Sequence, residues 1–305
     1  MQEVSVKSPA TVSNVVCGFD TLGFALAEPS DEMTLRKIDE PGVRIIHRDG
    51  FGLPVDPRQN VAGIALLAMM EQVQVDGGFE LEITKQIMPG SGIGSSAASA
   101  CGAVLAANRL LDERLTRTQL IEFAMKGEMA ASGARHADNI APCMLGGFTL
   151  VRSTDPLDVV ALKFPPLFAS VIHPQLEIKT SEARAILPKQ VALQDAVHQW
   201  SNVGALVAAL STGNYELLSR SLEDHIVEPA RKSLIPKFDE LKASAMRAGA
   251  FGGGISGSGP SVFMLSQSAE TAARVAEALT AVYSATDTEF KTYISPIAAE
   301  GVRFI

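Results

Sequence analysis

The sequence predicts an α+β protein of two domains on three observations. Its 305 residues leave room for two cores at the usual size of about 150 residues each. A strand-rich opening gives way to a helical middle, judged by apolar spacing. The run TDPLDVVALKFPPL, with prolines at 156, 165 and 166, separates these from a further set of strands and helices. The boundary is therefore expected near residue 155, dividing the chain into 1–155 and 156–305.

The opening alternates strand-like runs with turns: EVSVKS, MTLRKI and VRIIHR, each bounded by Pro, Gly or Asp. Helical spacing follows over 61–73. FELEITKQI, from Phe79, alternates apolar with charged residues, the pattern of a strand wet on one face. Residues 97–111 are nearly all Ala, Gly and aliphatic, which suits a helix lying close against a sheet. Another helix is expected over 116–132, capped by Thr116 or Thr118. Beyond the prolines, FASVIH, SVFML and EFKTYI read as strands, while 190–210, 215–226, 234–248 and 269–283 have helical spacing. The single tryptophan, Trp200, falls in the first of these helices, where core packing is its expected role.

Composition narrows the function classes. Hydrophobic residues at 47% and charged residues at 20% describe an ordered, compact protein. A net charge of -8 and a pI near 5.2 argue against a nucleic-acid partner or an anionic membrane surface. Cys17, Cys101 and Cys143 are far apart and form no Cys-x-x-Cys, so neither a disulfide framework nor a zinc site is expected. The first residues, with Glu3 and Lys7, lack the apolar core of a secretory signal, and no apolar stretch reaches the ~18 residues of a membrane span. A cytoplasmic protein with no membrane segment is the expectation.

The most specific chemistry lies in MPGSGIGSSAAS, residues 88–99. Gly90, Gly92 and Gly94 allow backbone N–H groups to approach an anion, and the amides and positive dipole end of the following helix face the same charge. Ser95 and Ser96 add hydroxyls that suit a phosphate oxygen or a magnesium ion. There is no Gly-Lys-Ser/Thr, so this is not a Walker loop, and Gly-x-Gly-x-Gly-Ser-Ser after a half-wet strand is not a dinucleotide fingerprint. A bland reading, a glycine turn capping an Ala/Ser-rich helix, stands beside the phosphate reading until the neighbours are weighed.

Glu128 lies seven residues after Ile121 and four after Ala124, on the stripe that faces the core. A carboxylate there needs a partner: magnesium with phosphate oxygens, or an ion pair with Lys126 or Arg135. SGARHADNIAP then crowds Arg135, His136, Asp138 and Asn139 into one loop, which reads either as turn chemistry or as part of a site. A second glycine run, GGGISGSGPSVF from Gly252, leads into a strand and reads on its own as a flexible turn.

PATVSNVVCGFDTLGFAL, PGSGIGSSAAS and GGGISGSGPSVF, in that order, resemble the three motifs of the GHMP small-molecule kinases. Asn14, the Gly18-Phe19-Asp20 triplet and RHADNIAP are similar to the homoserine kinase branch of that family. The resemblance implies an N-terminal domain like the second domain of ribosomal protein S5, with a left-handed β-α-β unit, and a ferredoxin-like C-terminal domain, with ATP between them. It implies that Pro89, Gly90, Ser91, Gly92, Ile93, Gly94, Ser95, Ser96 and Ala97 cradle the triphosphate, and that Ser96 and Glu128 hold Mg2+. Asn60, Val61 and Lys85 would lie near the nucleoside, and Gly254, Ser256, Gly257, Ser258 and Gly259 would support the phosphate loop.

The implied partners are ATP and L-homoserine, with a homodimer as the family expectation. Homoserine is a zwitterion, so its site needs an acid for the ammonium and cations for the carboxylate. Asn14 and Asp20 would take the first; Arg184 and Arg231, with Thr180 nearby, would take the second. His136, Asp138 and Asn139 would surround the hydroxyl as the catalytic group. Rival readings are a kinase of this fold acting on another small alcohol, such as threonine or shikimate, and a catalytically silent ATP-binding regulatory protein.

Overall fold

The computed structural model describes residues 2–133, 135–176 and 178–305. β1 (Glu3–Ser13) and β2 (Leu22–Ile38) pair antiparallel, with Val4 opposite Leu35 and Val12 opposite Phe24. β2 is far longer than the run MTLRKI because it serves two neighbours on the edge away from β1. Its last residues pair with β4 (Gly78–Thr84) and its first with β5 (Phe148–Thr154). β3 (Gly42–His47) runs parallel to β4, and the crossover that a parallel neighbour requires carries α1 (Val61–Val73). On β4, Phe79, Leu81 and Ile83 are buried, while Glu80 and Glu82 meet Arg36, Arg44 and Arg48 on the outer face. The alternation of FELEI is thus a strand wet on one side, as its pattern predicts.

Helices α2 (Ser95–Leu110), α3 (Arg117–Ser132) and α4 (Ile140–Leu145) complete this half. α2 is buried over almost its whole length, which its Ala, Gly and Ser side chains permit by letting it settle against β1 and β2. Thr116, not Thr118, caps α3: its hydroxyl accepts from the Gln119 amide while the Gln119 side chain accepts from the Thr116 amide.

The second sheet joins β7 (Phe168–Pro174), β8 (Gly252–Ile255), β9 (Val262–Ser266) and β10 (Phe290–Pro296) in the order β10-β7-β9-β8, all antiparallel. With helices between β7 and β8 and between β9 and β10, this is the β-α-β-β-α-β arrangement of ferredoxin-like domains. β7 and β9 are buried on both faces. Ile172, Val262 and Met264 pack under α9 (Phe238–Arg247) and α10 (Ala269–Ser284). Ala169, Val171, Phe263 and Leu265 face the other way into the core of the first half, where the Phe263 ring meets Phe24 edge-on with centroids 5.5 Å apart.

The boundary expected at residue 155 falls in the turn of a hairpin: β6 (Leu157–Leu162) pairs with β5, so the chain leaves the first sheet only after Leu162. The chain end also returns, because β11 (Arg303–Phe304) adds to β1. Helix limits differ where side chains intervene. The helix expected over 190–210 is α6 (Leu193–Thr212), and that expected over 215–226 stops as α7 (Tyr215–Ser221). The Asp224 carboxylate then accepts from the amides of Ile226, Val227 and Glu228, which starts α8 (Val227–Arg231) instead. α9 begins at Phe238 rather than 234 because Pro236 disfavours helix in the residue before it. Trp200 is not a core residue: it is 57% exposed on α6. Among the described residues no helix is long and apolar enough to cross a membrane.

Candidate active site

A cavity of about 400 Å³ opens between the two halves, and the glycine loop forms one end of it. Gly90, Gly92 and Gly94 all take positive φ, between 73° and 80°, so the loop turns back at alternate residues and enters α2 with Gly94 as its N-cap. The first amides of the helix have no intrahelical acceptor there, which leaves them for an anion. The loop is held from three sides. Ile93 O accepts from the Thr11 amide at 3.1 Å, and Ser95 Oγ donates to Ile87 O at 3.0 Å. The tip of the β8–β9 hairpin supplies the third contact: Ser256 Oγ donates to Gly92 O at 2.7 Å. A Cβ on Gly92 would stand 2.6 Å from Gly259 O and 2.8 Å from Ser256 O, so only glycine admits the hairpin. The second glycine run therefore supports the first.

Ser95 is committed inward to Ile87, which leaves Ser96 as the serine beside the cavity's acid. Ser96 hydrogen-bonds Glu128, whose carboxyl is pushed up by burial and drawn partly back by that hydroxyl. The candidate cations for a structural ion pair are placed elsewhere: Arg135 approaches Asp155 at 3.6 Å, and the Lys126 ammonium lies 5.1 Å from the Phe123 ring centre. A buried carboxylate beside a hydroxyl is an all-oxygen donor set of the kind magnesium takes, with phosphate and water completing its shell.

Two residues expected at the nucleoside serve the protein first. Lys85 lies beneath the start of α2 with its ammonium on Asp31, on Ser99 Oγ at 2.9 Å and on Ser95 O at 3.1 Å. Both charges are buried, and Asp31 also accepts from the Gln86 and Ile87 amides. Asn60 caps α1: its Oδ1 accepts from the amides of Ala62 and Gly63, and its Nδ2 donates to Pro54 O at 2.7 Å and to His47 Nε2 at 3.2 Å. All four of its hydrogen-bonding positions are thereby used, leaving only its surface to a nucleoside. His47, Leu53, Pro54, Gln59 and Val61 line this end with it.

At the opposite end, Asp20 takes a two-pronged contact from Arg184, with N···O distances of 3.0 and 3.2 Å. Arg184 Nη2 also donates to His136 Nε2 at 2.9 Å. Burial and the arginines Arg184 and Arg231 together hold His136 below its ordinary pKa, against the pull of Asp20, so its ring is neutral and accepts that bond. Arg231 is only 3% exposed. It donates to Ala183 O at 2.9 Å and Gly257 O at 3.1 Å, and among the described residues no carboxylate lies within ion-pair distance of it. Burial and Arg184 lower its pKa, yet an arginine stays charged, so this is a cation with only carbonyl partners. The Phe19 ring lies against both guanidinium groups, 5.5 Å from Arg184 and 5.1 Å from Arg231. Asn14 donates to Gly257 O at 2.7 Å and accepts from the Asp20 amide at 3.1 Å.

Between the two ends stand Asp138 and Asn139. Asn139 donates to Ser13 Oγ at 2.9 Å and accepts from Thr11 Oγ1 at 2.7 Å, beside Gly94. Asp138 is buried, and its carboxyl is pushed up to about 7 by desolvation and by Asp20, against a hydrogen bond from Ser13. Thr180 sits at the rim, 3.5 Å from Ser258. Of the expected site residues, Ser91, Ile93, Ala97, Gly254, Ser256 and Gly259 lie behind the cavity wall. Ser13, Thr11, Phe19 and His47 are additions that sequence reasoning missed. Phe19 sat in view within Gly-Phe-Asp, and Ser13 adjoins Asn14, but neither residue type signals a role by itself.

Residues 60–147 match the GHMP kinases N terminal domain, and residues 206–285 match the GHMP kinases C terminal domain. The chain is 45% identical to a homoserine kinase of Chloroherpeton thalassium and 44% identical to one of Chlorobaculum tepidum, covering 100% of this chain and 100% and 99% of those proteins. A crystal structure of homoserine kinase from Cytophaga hutchinsonii superposes with a TM-score of 0.96 at 49% identity, over 100% of this chain and 98% of that one. An L. major mevalonate kinase in complex with R-mevalonate shares the fold, with a TM-score of 0.72 at 17% identity over 95% and 94% of the two chains. With both domains matched in order and the whole chain aligned to such relatives, the protein belongs to the homoserine kinase family of the GHMP kinases.

Proposed function

We propose that this protein transfers the γ-phosphoryl group of ATP to the side-chain hydroxyl of L-homoserine, giving O-phospho-L-homoserine in the route to threonine. The observation that carries this reading is the charge arrangement opposite the phosphate loop. Arg231 is a buried cation without a carboxylate, and Asp20 stands across the same cavity. A carboxylate completes the first, and an ammonium suits the second. Shikimate brings only a carboxylate and leaves the acid unused. The names and full-length identity of the relatives support the same substrate.

In this reading the loop amides and the N-terminus of α2 bind the triphosphate, and Ser96 with Glu128 would hold magnesium, which supplies charge neutralisation to the phosphates when bound. Phosphoryl transfer asks mainly for alignment and charge stabilisation. Asn139, fixed by Thr11 and Ser13 beside Gly94, orients the hydroxyl toward the phosphate end. The hydroxyl oxygen bonds to phosphorus as the bond to ADP breaks, and its proton leaves to phosphate, to solvent or to Asp138. Asp138, with its pKa near 7, is the side chain suited to exchange that proton. Near-normal turnover by Asp138→Asn would remove it from that role. The cytosol as the place of action is supported by three buried free thiols. A homodimer is supported by the exposed stripe Leu193, Val197 and Trp200 on α6, and the mass in solution checks it.

The test is a panel of homoserine, threonine and shikimate with ATP and magnesium. Homoserine is expected to be the preferred acceptor, and Arg231→Ala to raise its KM about 10- to 100-fold with ATP affinity retained, the usual effect of losing a charged hydrogen bond. Preference for shikimate would overturn the substrate, and absence of any ATP turnover would favour a regulatory protein.

A further inference from the structure

The amino-acid end of the cavity already contains an ion pair where two ligand charges are expected. Arg184 grips Asp20 with both prongs of its guanidinium while the neighbouring Arg231 is tied to the carbonyls of Ala183 and Gly257. The two arginines are therefore not equivalent. Arg231 is buried and fixed, whereas Arg184 is carried by a six-residue helix, α5 (Thr180–Ala185), with its side chain 39% exposed. Arg184 Nε is buried without a hydrogen-bond partner, so the guanidinium is not fully satisfied in this arrangement. Its other hydrogen-bond partner, His136 Nε2, is a neutral acceptor that can be exchanged for another.

We propose that the Asp20–Arg184 pair is an internal substitute for the bound amino acid, and that its exchange for the ligand's own two charges restricts this site to zwitterions. The proposal rests on the homoserine reading above and adds the source of its selectivity. A zwitterion breaks one ion pair and makes two: its ammonium takes Asp20, and its carboxylate takes the released Arg184 together with Arg231. An alcohol bearing only an ammonium displaces Arg184 from Asp20 and leaves that guanidinium with no anion, facing a second cation over the Phe19 ring. An alcohol bearing only a carboxylate can pair with Arg231, but with no ammonium to take Asp20 it leaves Arg184 on that acid, so the second arginine of its clamp is withheld. The ammonium-only ligand thus ends with an unpaired guanidinium in a partly desolvated pocket, and the carboxylate-only ligand with half of its clamp.

Two truncated acceptors separate this from a purely structural ion pair: 3-aminopropan-1-ol, which is homoserine without the carboxylate, and 4-hydroxybutanoate, which is homoserine without the amine. In the unaltered protein both are expected to be poor acceptors. Arg184→Ala is expected to lower kcat/KM for homoserine about 10- to 100-fold while raising it for 3-aminopropan-1-ol, because Asp20 no longer has to be released. Asp20→Asn is expected to lower homoserine use and raise that of 4-hydroxybutanoate. Arg184→Gln, which keeps a long polar side chain without charge, should follow Arg184→Ala, and ATP affinity measured by calorimetry reports whether each variant is folded. Parallel loss of all three acceptors in folded variants overturns the exchange. Failure of the unaltered protein to use homoserine overturns instead the substrate reading on which the exchange rests.

Discussion

The two ends of the cavity are built on opposite principles. At the phosphate end the ion pair beneath the loop is closed before any ligand arrives, Lys85 bonding Asp31, Ser95 and Ser99, and two loop carbonyls, of Ile93 and Gly92, are taken by Thr11 and Ser256. The groups left over are backbone amides, whose dipoles need no proton and little rearrangement to meet an anion. At the amino-acid end the charges outnumber their partners. Arg231 is buried on carbonyls alone, Arg184 is lent to Asp20, and His136 and Asp138 are displaced in pKa by burial. The first end offers its amides to the negative charge common to every nucleoside triphosphate, beside the Ser96 and Glu128 oxygens proposed for magnesium. The second is completed by its ligand, and that is where one small alcohol is told from another.

The contrast is broken most severely from beneath the loop. Lys85→Met strands the Asp31 carboxylate in a fully buried site, and removal of one partner from such a pair costs about 3–5 kcal/mol. A fall in Tm on the order of 10 °C is expected in thermal melts, with loss of ATP binding following the loss of the loop's anchor. A Tm within a degree or two of the parent would mean that the pair is not what holds the phosphate end. Gly92→Ala attacks the same end more locally. It places a methyl against Gly259 O and Ser256 O at a residue whose φ is 80°. Affinity for ATP is expected to fall about 10-fold or more, with homoserine affinity measured by calorimetry nearly unchanged; equal loss at both ends would contradict their separate construction.

The amino-acid end is sharpened by its pH dependence. The Asp138 carboxyl is raised from 3.8 to about 7 on folding. Below about pH 4 both folded and unfolded chains hold that proton; between about 4 and 7 only the folded chain does. Stability from this group is therefore present at low pH and lost as pH rises through 7. Asp138→Asn removes the ionised form and is expected to raise Tm by a few degrees at pH 8, with the gain shrinking toward pH 5. A gain that is the same at both pH values would assign the effect to packing instead of charge.

Much of the phosphate end was legible in the residues. Three alternating glycines ahead of a small-residue helix, and a carboxylate on the core-facing stripe of 116–132, are local patterns whose geometry follows from backbone chemistry, and the loop, α2 and Glu128 stand together as those patterns imply. The roles of Lys85 and Asn60 were not legible in the same way. Both were expected beside the nucleoside and both line the cavity, yet their polar atoms are spent on Asp31 and on the cap of α1, partners 54 and two to three residues away. Which partner wins is a matter of competition among all groups within reach, and a string of residues does not state those distances. The cut near 155 falls inside a hairpin for a related reason: prolines mark turns, and a turn within a hairpin looks the same as a turn between domains.

By itself the sequence determined the local material of this protein: the half-wet strand at FELEI and the glycine-lined entry to a buried helix. These follow from side-chain chemistry and from periods of two and 3.6 residues, which short-range forces enforce. Only the tertiary structure decided how they meet. The pairing of β2 with both β4 and β5, the return of residues 303–304 to β1, the docking of the second glycine run on Gly92 and the lending of Arg184 to Asp20 join residues up to hundreds of positions apart. Such contacts are selected by the burial of a shared core and by the pairing of charges inside it, both of which belong to the folded whole.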